Sequence, residues 1–154
     1  MTGLVFVDTN VLVYRHDTTE PSKQSRADAW INLVVRNRAG RLSFQVLQEL
    51  YAVLTRRAIP TVPASTAQSI VRELTAWRPI PIDLAVLERA WSLQERYGAS
   101  WWDALIVAAA QAGECKVLLT EDLQHGQVFG TVRVINPFAS PDRTPESILD
   151  SVAP

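Results

Sequence analysis

What most constrains the fold is a short apolar run that ends abruptly on a charge. Residues 4–8 read LVFVD, four consecutive uncharged apolar residues followed by Asp8, Thr9 and Asn10. A strand with one wet face alternates apolar and polar residues, whereas an unbroken run is buried on both sides. Such a strand belongs in a parallel sheet covered by helices on each face. Residues 42–44, 116–119 and 132–135 are further strand candidates. Residues 80–82 are another, but Pro79 and Pro81 confine that stretch to a sheet edge at best. The intervening segments carry helical periodicity over residues 11–14, 21–37, 46–57, 63–77, 83–97 and 101–112, with Gly40, Gly98 and Gly113 as stop signals. A polar loop is expected around Gly126 and Gly130, and Thr144-Pro145-Glu146 can open one short helix in the proline-rich tail. Strands alternating with helices predict an α/β fold with a mostly parallel sheet of four to five strands between helical layers.

Composition bounds the rest. With 154 residues, 47% of them hydrophobic, the chain is long enough for one substantial core. At that size about 70% of the unfolded surface is buried on folding, so neither disulfides nor a structural metal is required. The single Cys115 can staple nothing, no Cys/His spacing suits zinc, and a reducing cytoplasmic setting is expected. No apolar run is long enough to cross a membrane. The net charge of −1 gives no global basic field, so any contact with nucleic acid must be local.

Four acids stand out against this background. Asp8 ends the first strand and Asp122 follows the strand at 116–119, so a parallel sheet delivers both to its carboxyl edge, where sites in such folds lie. Glu49 has Val46, Ala52 and Val53 as helical neighbours, and Asp103 is the one charge between Trp101 and Ala112, beside Ile106 and Val107. Each has an ordinary explanation. Asp8 could cap a helix, Ser100 and Asp103 fit a capping box, Asp122 could be a turn residue, and Glu49 could pair with Arg56, Arg57 or another arginine. Their convergence on one edge argues for more. Two like charges about 4 Å apart repel by on the order of 4 kcal/mol at an effective dielectric of about 20, and a divalent cation relieves this. Hard oxygen donors favour Mg²⁺ or Mn²⁺.

Asp8-Thr9-Asn10, Glu49 in QELY, Asp103 in WDALIVAAA and Thr120-Glu121-Asp122 after VLL together resemble the PIN-domain nucleases, especially VapC-type toxins of toxin–antitoxin pairs. The resemblance implies a three-layer α/β/α sandwich with strand order 3-2-1-4-5, a nuclease domain over residues 1–138 and a tail or short helix over 139–154. It implies metal-dependent cleavage of RNA, with Asp8, Glu49, Asp103 and Asp122 as catalytic metal ligands and Asn10 and Thr120 as supporting polar residues. Glu121 offers a second carboxylate next to Asp122. A homodimer and a cognate antitoxin are implied as well. Arg15, His16, Lys23 and Arg26 are candidate contacts to an RNA backbone, and Trp101 and Trp102 are candidate stacking surfaces, while Trp30, Trp77 and Trp91 read as core and His125 as a loop residue. Two other readings stand beside this one: a phosphoaspartyl phosphotransfer domain using Asp8, and a PIN-like module that binds RNA or protein without catalysis.

Overall fold

Where the apolar run stops, a helix begins. In the computed structural model, β1 (Val5–Val7) is buried at every position, and the side chain of Asp8 accepts the Thr9 N–H to cap α1 (Thr9–Tyr14). The structure describes residues 3–57 and 60–152. α2 (Pro21–Arg36) opens on a proline, whose missing N–H is no loss in a first turn. The reversal after it is made by Arg38, at φ 51°, rather than by Gly40. Gly40 instead opens β2 (Gly40–Arg41), and it is small for a steric reason: a Cβ there would sit 2.8 Å from Trp77 Cε3 and 2.9 Å from Val34 Cγ1. This strand lies two residues upstream of the expected 42–44. The cause is Ser43, whose hydroxyl accepts the Val46 N–H at 3.4 Å and starts α3 (Phe44–Arg56) earlier than periodicity suggests.

α4 (Ala64–Leu74) passes into a 3-10 turn, Thr75–Trp77. The proline-flanked stretch that follows is reduced to a single parallel bridge between Ile80 and Ser43: the Ile80 N–H donates to the Leu42 carbonyl at 2.9 Å, and its carbonyl accepts from Phe44 at 3.1 Å. Pro79 and Pro81 have no N–H with which to continue it. α5 (Leu84–Tyr97) runs from its Asp83 cap to Gly98 at φ 66°, and α6 (Trp101–Ala112) is capped by Ser100. β3 (Val117–Leu119) and β5 (Val132–Ile135) form as expected, but part of the loop between them does not stay loop. Gly130, at φ 62°, turns the chain so that β4 (Val128–Phe129) pairs antiparallel with β5.

The sheet order is β2-β1-β3-β5-β4, parallel except for the last pair. With Ile80 counted outside β2, this is the expected 3-2-1-4-5 arrangement, its third strand shrunk to one bridge and β4 added at the far edge. α6 packs on β3 and β5 with α5 against it, while α1 packs against α2 and α3, and α4 against α3, giving the α/β/α sandwich. α7 (Pro145–Val152) packs against α2, buries Ile148 and Leu149, and adds an exposed Arg36–Glu146 ion pair at 2.8 Å. Among the described residues, no helix is long and apolar enough to cross a membrane. Trp30 is fully buried and Trp77 partly so, as expected of core residues, but Trp91 is half exposed and stacks on Trp101 with ring centroids 6.4 Å apart.

Candidate active site

Parallel strands release their next residues at the same edge. Asp8 N–H donates to the Leu119 carbonyl at 3.0 Å and Thr120 N–H to the Ile135 carbonyl at 3.1 Å, so the ladder runs one residue past β1 and β3 before the side chains turn outward. Asp8 is 6% exposed. Its Oδ1 accepts the Thr9 N–H at 2.7 Å, and its Oδ2 accepts the Thr120 hydroxyl at 2.8 Å and, at 3.4 Å, the Asn10 amide. The ordinary explanation of Asp8 as a helix cap is therefore true, but it accounts for one oxygen only.

Glu49 reaches the same place from α3. Its partners are neutral: the Thr9 hydroxyl donates to Oε2 at 2.7 Å, and the amide of Gln45, one turn earlier, donates to Oε1 at 2.9 Å. Asp122 accepts from Asn10 Nδ2 at 3.0 Å, and its own N–H donates to Thr120 Oγ1 at 3.1 Å. Asn10 Nδ2 also lies 3.2 Å from that hydroxyl, so one amide touches Asp8, Thr120 and Asp122. Asp103 occupies the first turn of α6, where its N–H donates to the Ser100 hydroxyl at 3.2 Å. Among the described residues no donor meets its carboxylate.

Asp8 and Asp122 each feel neighbouring acids. Burial pushes the Asp8 carboxyl up to about 7; the Thr120 hydroxyl and the Thr9 N–H work against this, and the charges of Asp122 and Glu49 add to it. Asp122 is also raised, first by desolvation, with the Asn10 amide opposing and Glu121, Asp103 and Glu49 contributing repulsion. Yet among the described residues no three His, Cys, Asp or Glu side chains form a ready metal-holding group. Glu49 is held by Thr9 and Gln45, and Asp122 by Asn10, all neutral donors.

Several participants carry no sequence signal of their own. Thr9 and Gln45 are neutral and common; only their spacing, beside Asp8 and one turn before Glu49, marks them. Glu121 is engaged elsewhere, with Oε1 accepting from Tyr14 Oη at 2.7 Å and Oε2 from Lys23 Nζ at 2.9 Å. Other cations considered for an RNA backbone also have protein partners: Arg15 pairs with Asp28 at 3.1 Å, and Arg26 donates to the carbonyls of Pro137 and Ser140. His16 is half-buried, and burial lowers its pKa. His125 Nδ1 accepts the Asn136 N–H at 3.0 Å, and Trp102 is 64% exposed.

The PIN-domain family model matches residues 5–128, a span that holds Asp8, Glu49, Asp103 and Asp122. The chain belongs to the PIN-domain family. Solved structures agree on the fold. A toxin–antitoxin complex from Klebsiella pneumoniae shares 20% identity at a TM-score of 0.61, covering 87% of this chain and 98% of that one. VapBC2 from Rickettsia felis, bound to a DNA fragment from its promoter, shares 19% at 0.59, covering 85% and 96%. VapC20 from Mycobacterium tuberculosis, a sarcin–ricin loop cleaving toxin, shares 18% at 0.52, covering 74% and 86%. No curated protein matches the sequence significantly.

In this PIN domain the donor set suits a hard divalent cation. The available ligands are carboxylate and amide oxygens, and two amide oxygens at the cluster, Asn10 Oδ1 and Gln45 Oε1, are buried without a hydrogen-bond partner among the described residues. Unpaired buried acceptors beside a carboxylate that resists ionisation are what a cation would satisfy together.

Proposed function

We propose that this PIN domain is a Mg²⁺- or Mn²⁺-dependent endoribonuclease, the toxin of a toxin–antitoxin pair, with Asp8, Glu49, Asp103 and Asp122 as its metal-binding and catalytic acids. The observation that carries the reading is Asp8: buried, raised to about 7, and flanked by the charges of Glu49 and Asp122. A bound divalent cation supplies Lewis acidity toward a phosphodiester and favours attack by water. The chain's own residues prepare the place for it. Thr120 and the Thr9 N–H fix the two oxygens of Asp8, Thr9 and Gln45 aim Glu49, and Asn10 ties Asp122 to Asp8. Thr120 and Asn10 thus support the site by holding the acids in place. With the 3′ oxygen as leaving group, such hydrolysis yields 5′-phosphate and 3′-hydroxyl ends.

Likeness to toxin–antitoxin complexes supports an antitoxin partner, and a homodimer in the cytoplasm completes the proposal. The phosphoaspartyl reading is disfavoured by Lys116, which precedes β3 and so stands at the sheet edge opposite Asp8. The test compares wild type with Asp8→Asn on single-stranded RNA, with and without Mg²⁺ or Mn²⁺. Cleavage is expected only with both the metal and Asp8. Cutting that survives EDTA, or that survives in Asp8→Asn, would sink the mechanism, and RNA binding without cleavage would favour the non-catalytic module.

A further inference from the structure

Four separate stretches of chain meet beside the acidic cluster, and they meet around one lysine. Lys23, in the first turn of α2, donates to Glu121 Oε2 at 2.9 Å and to Tyr14 Oη at 3.0 Å. Tyr14, the last residue of α1, donates its hydroxyl hydrogen bond to Glu121 Oε1 at 2.7 Å. Phe138, beyond β5, packs edge-on against Tyr14 with ring centroids 5.1 Å apart, and Lys23 Nζ lies 4.6 Å from the Tyr14 centroid and 5.1 Å from that of Phe138. Both oxygens of Glu121 are therefore committed, each to a donor that is itself packed in place.

This matters because Glu121 is covalently bound to Asp122. The turn Thr120–Asp122 carries the hydroxyl that holds Asp8 and the carboxylate that Asn10 holds. Pinning the middle residue of that turn to α1 and α2 restricts the backbone on which both functional side chains sit. It also removes a competing carboxylate, one residue away, from the cation's reach. An exposed ion pair would contribute little, but this pair is 35% and 23% exposed and shares its donors with a tyrosine hydroxyl and two ring faces.

We propose that Lys23 is a positioning residue for the metal site. Acting through Tyr14 and Glu121, it orients Asp122 and keeps Glu121 from taking Asp122's place. The inference rests on the metal-dependent reading above. Outer partners of metal ligands typically change affinity by about 10–100-fold when removed. Mn²⁺ binding by isothermal titration calorimetry is the direct readout, with RNA cleavage measured across a Mn²⁺ series.

Lys23→Met and Tyr14→Phe are each expected to weaken Mn²⁺ binding by about tenfold, with cleavage recovering at saturating Mn²⁺ and circular dichroism unchanged. Lys23→Arg, which keeps the charge and a donor to Glu121, is expected to retain most of the affinity. A purely structural role would lower the saturated rate and the folded fraction without shifting the metal midpoint. Tyr14→Phe removes a single hydroxyl, so it provides the folded test if Lys23→Met does not fold. Wild-type Mn²⁺ affinity in a folded Lys23→Met or Tyr14→Phe variant overturns the proposal alone. Failure of the wild-type protein to bind Mn²⁺ overturns the metal reading and the proposal with it.

Discussion

Asp8 caps a helix and crowds two other carboxylates at once, and these duties pull its proton in opposite directions. The cap favours the charged form, while burial and the neighbouring acids favour the neutral one and prevail. Its pKa in the folded protein stands at about 7 against an ordinary value of 3.8, so the folded state holds the proton more tightly than the unfolded chain. The stability this contributes is complete below about pH 4 and is lost as pH rises through about 7. Asp8→Asn has no proton to lose. In EDTA, the melting temperature of the wild type is therefore expected to fall relative to Asp8→Asn across that interval, by at least about 2–4 °C, the equivalent of about 1 kcal/mol for a chain of this size. Scanning calorimetry at several pH values checks it, and parallel profiles would remove the buried-acid account. Asp8, Glu49 and Asp103 are legible in sequence because a charge on an apolar face needs a reason. Thr9 and Gln45 are not, since what they do depends on a carboxylate 40 residues away in one case and one helical turn away in the other.

Helix starts are written locally, although a strand-like pattern can hide one, as residues 42–44 hide the Ser43 cap. Ser43, Asp83 and Ser100 each accept an N–H from three residues on, and each precedes its helix directly. Helix stops are less legible, as Gly40 illustrates. A glycine near a helix end reads as a left-handed terminator, but Arg38 performs the reversal, and Gly40 is needed where the chain passes against Trp77 and Val34. Gly40→Ala is expected to destabilise by about 1–3 kcal/mol through overpacking. Urea denaturation measures it, and no change in midpoint would show that Trp77 gives way freely. β4 escapes sequence reading for a different reason: a two-residue strand has no periodicity, and its existence depends on β5 lying alongside.

Across the whole molecule, the tail is tied to the sandwich through α2. Pro145, Ile148 and Leu149 are buried, and the Arg36–Glu146 pair beside them is exposed enough to contribute little. Ending the chain after Pro141 is expected to cost about 2–4 kcal/mol from the apolar area uncovered, read as a lower urea midpoint. An unchanged midpoint would mean that α7 only rests on the surface. The sequence by itself determined the alternation of strands and helices, the caps, and which acids stood where charge is costly, because these follow from patterns within a few residues. Tertiary structure alone decided that Ile80 adds one bridge rather than a strand, that neutral donors and not arginines hold Glu49, and that Lys23 and Tyr14 claim Glu121. Those outcomes turn on partners brought together from distant parts of the chain, and local pattern carries no record of which side chain will arrive opposite which.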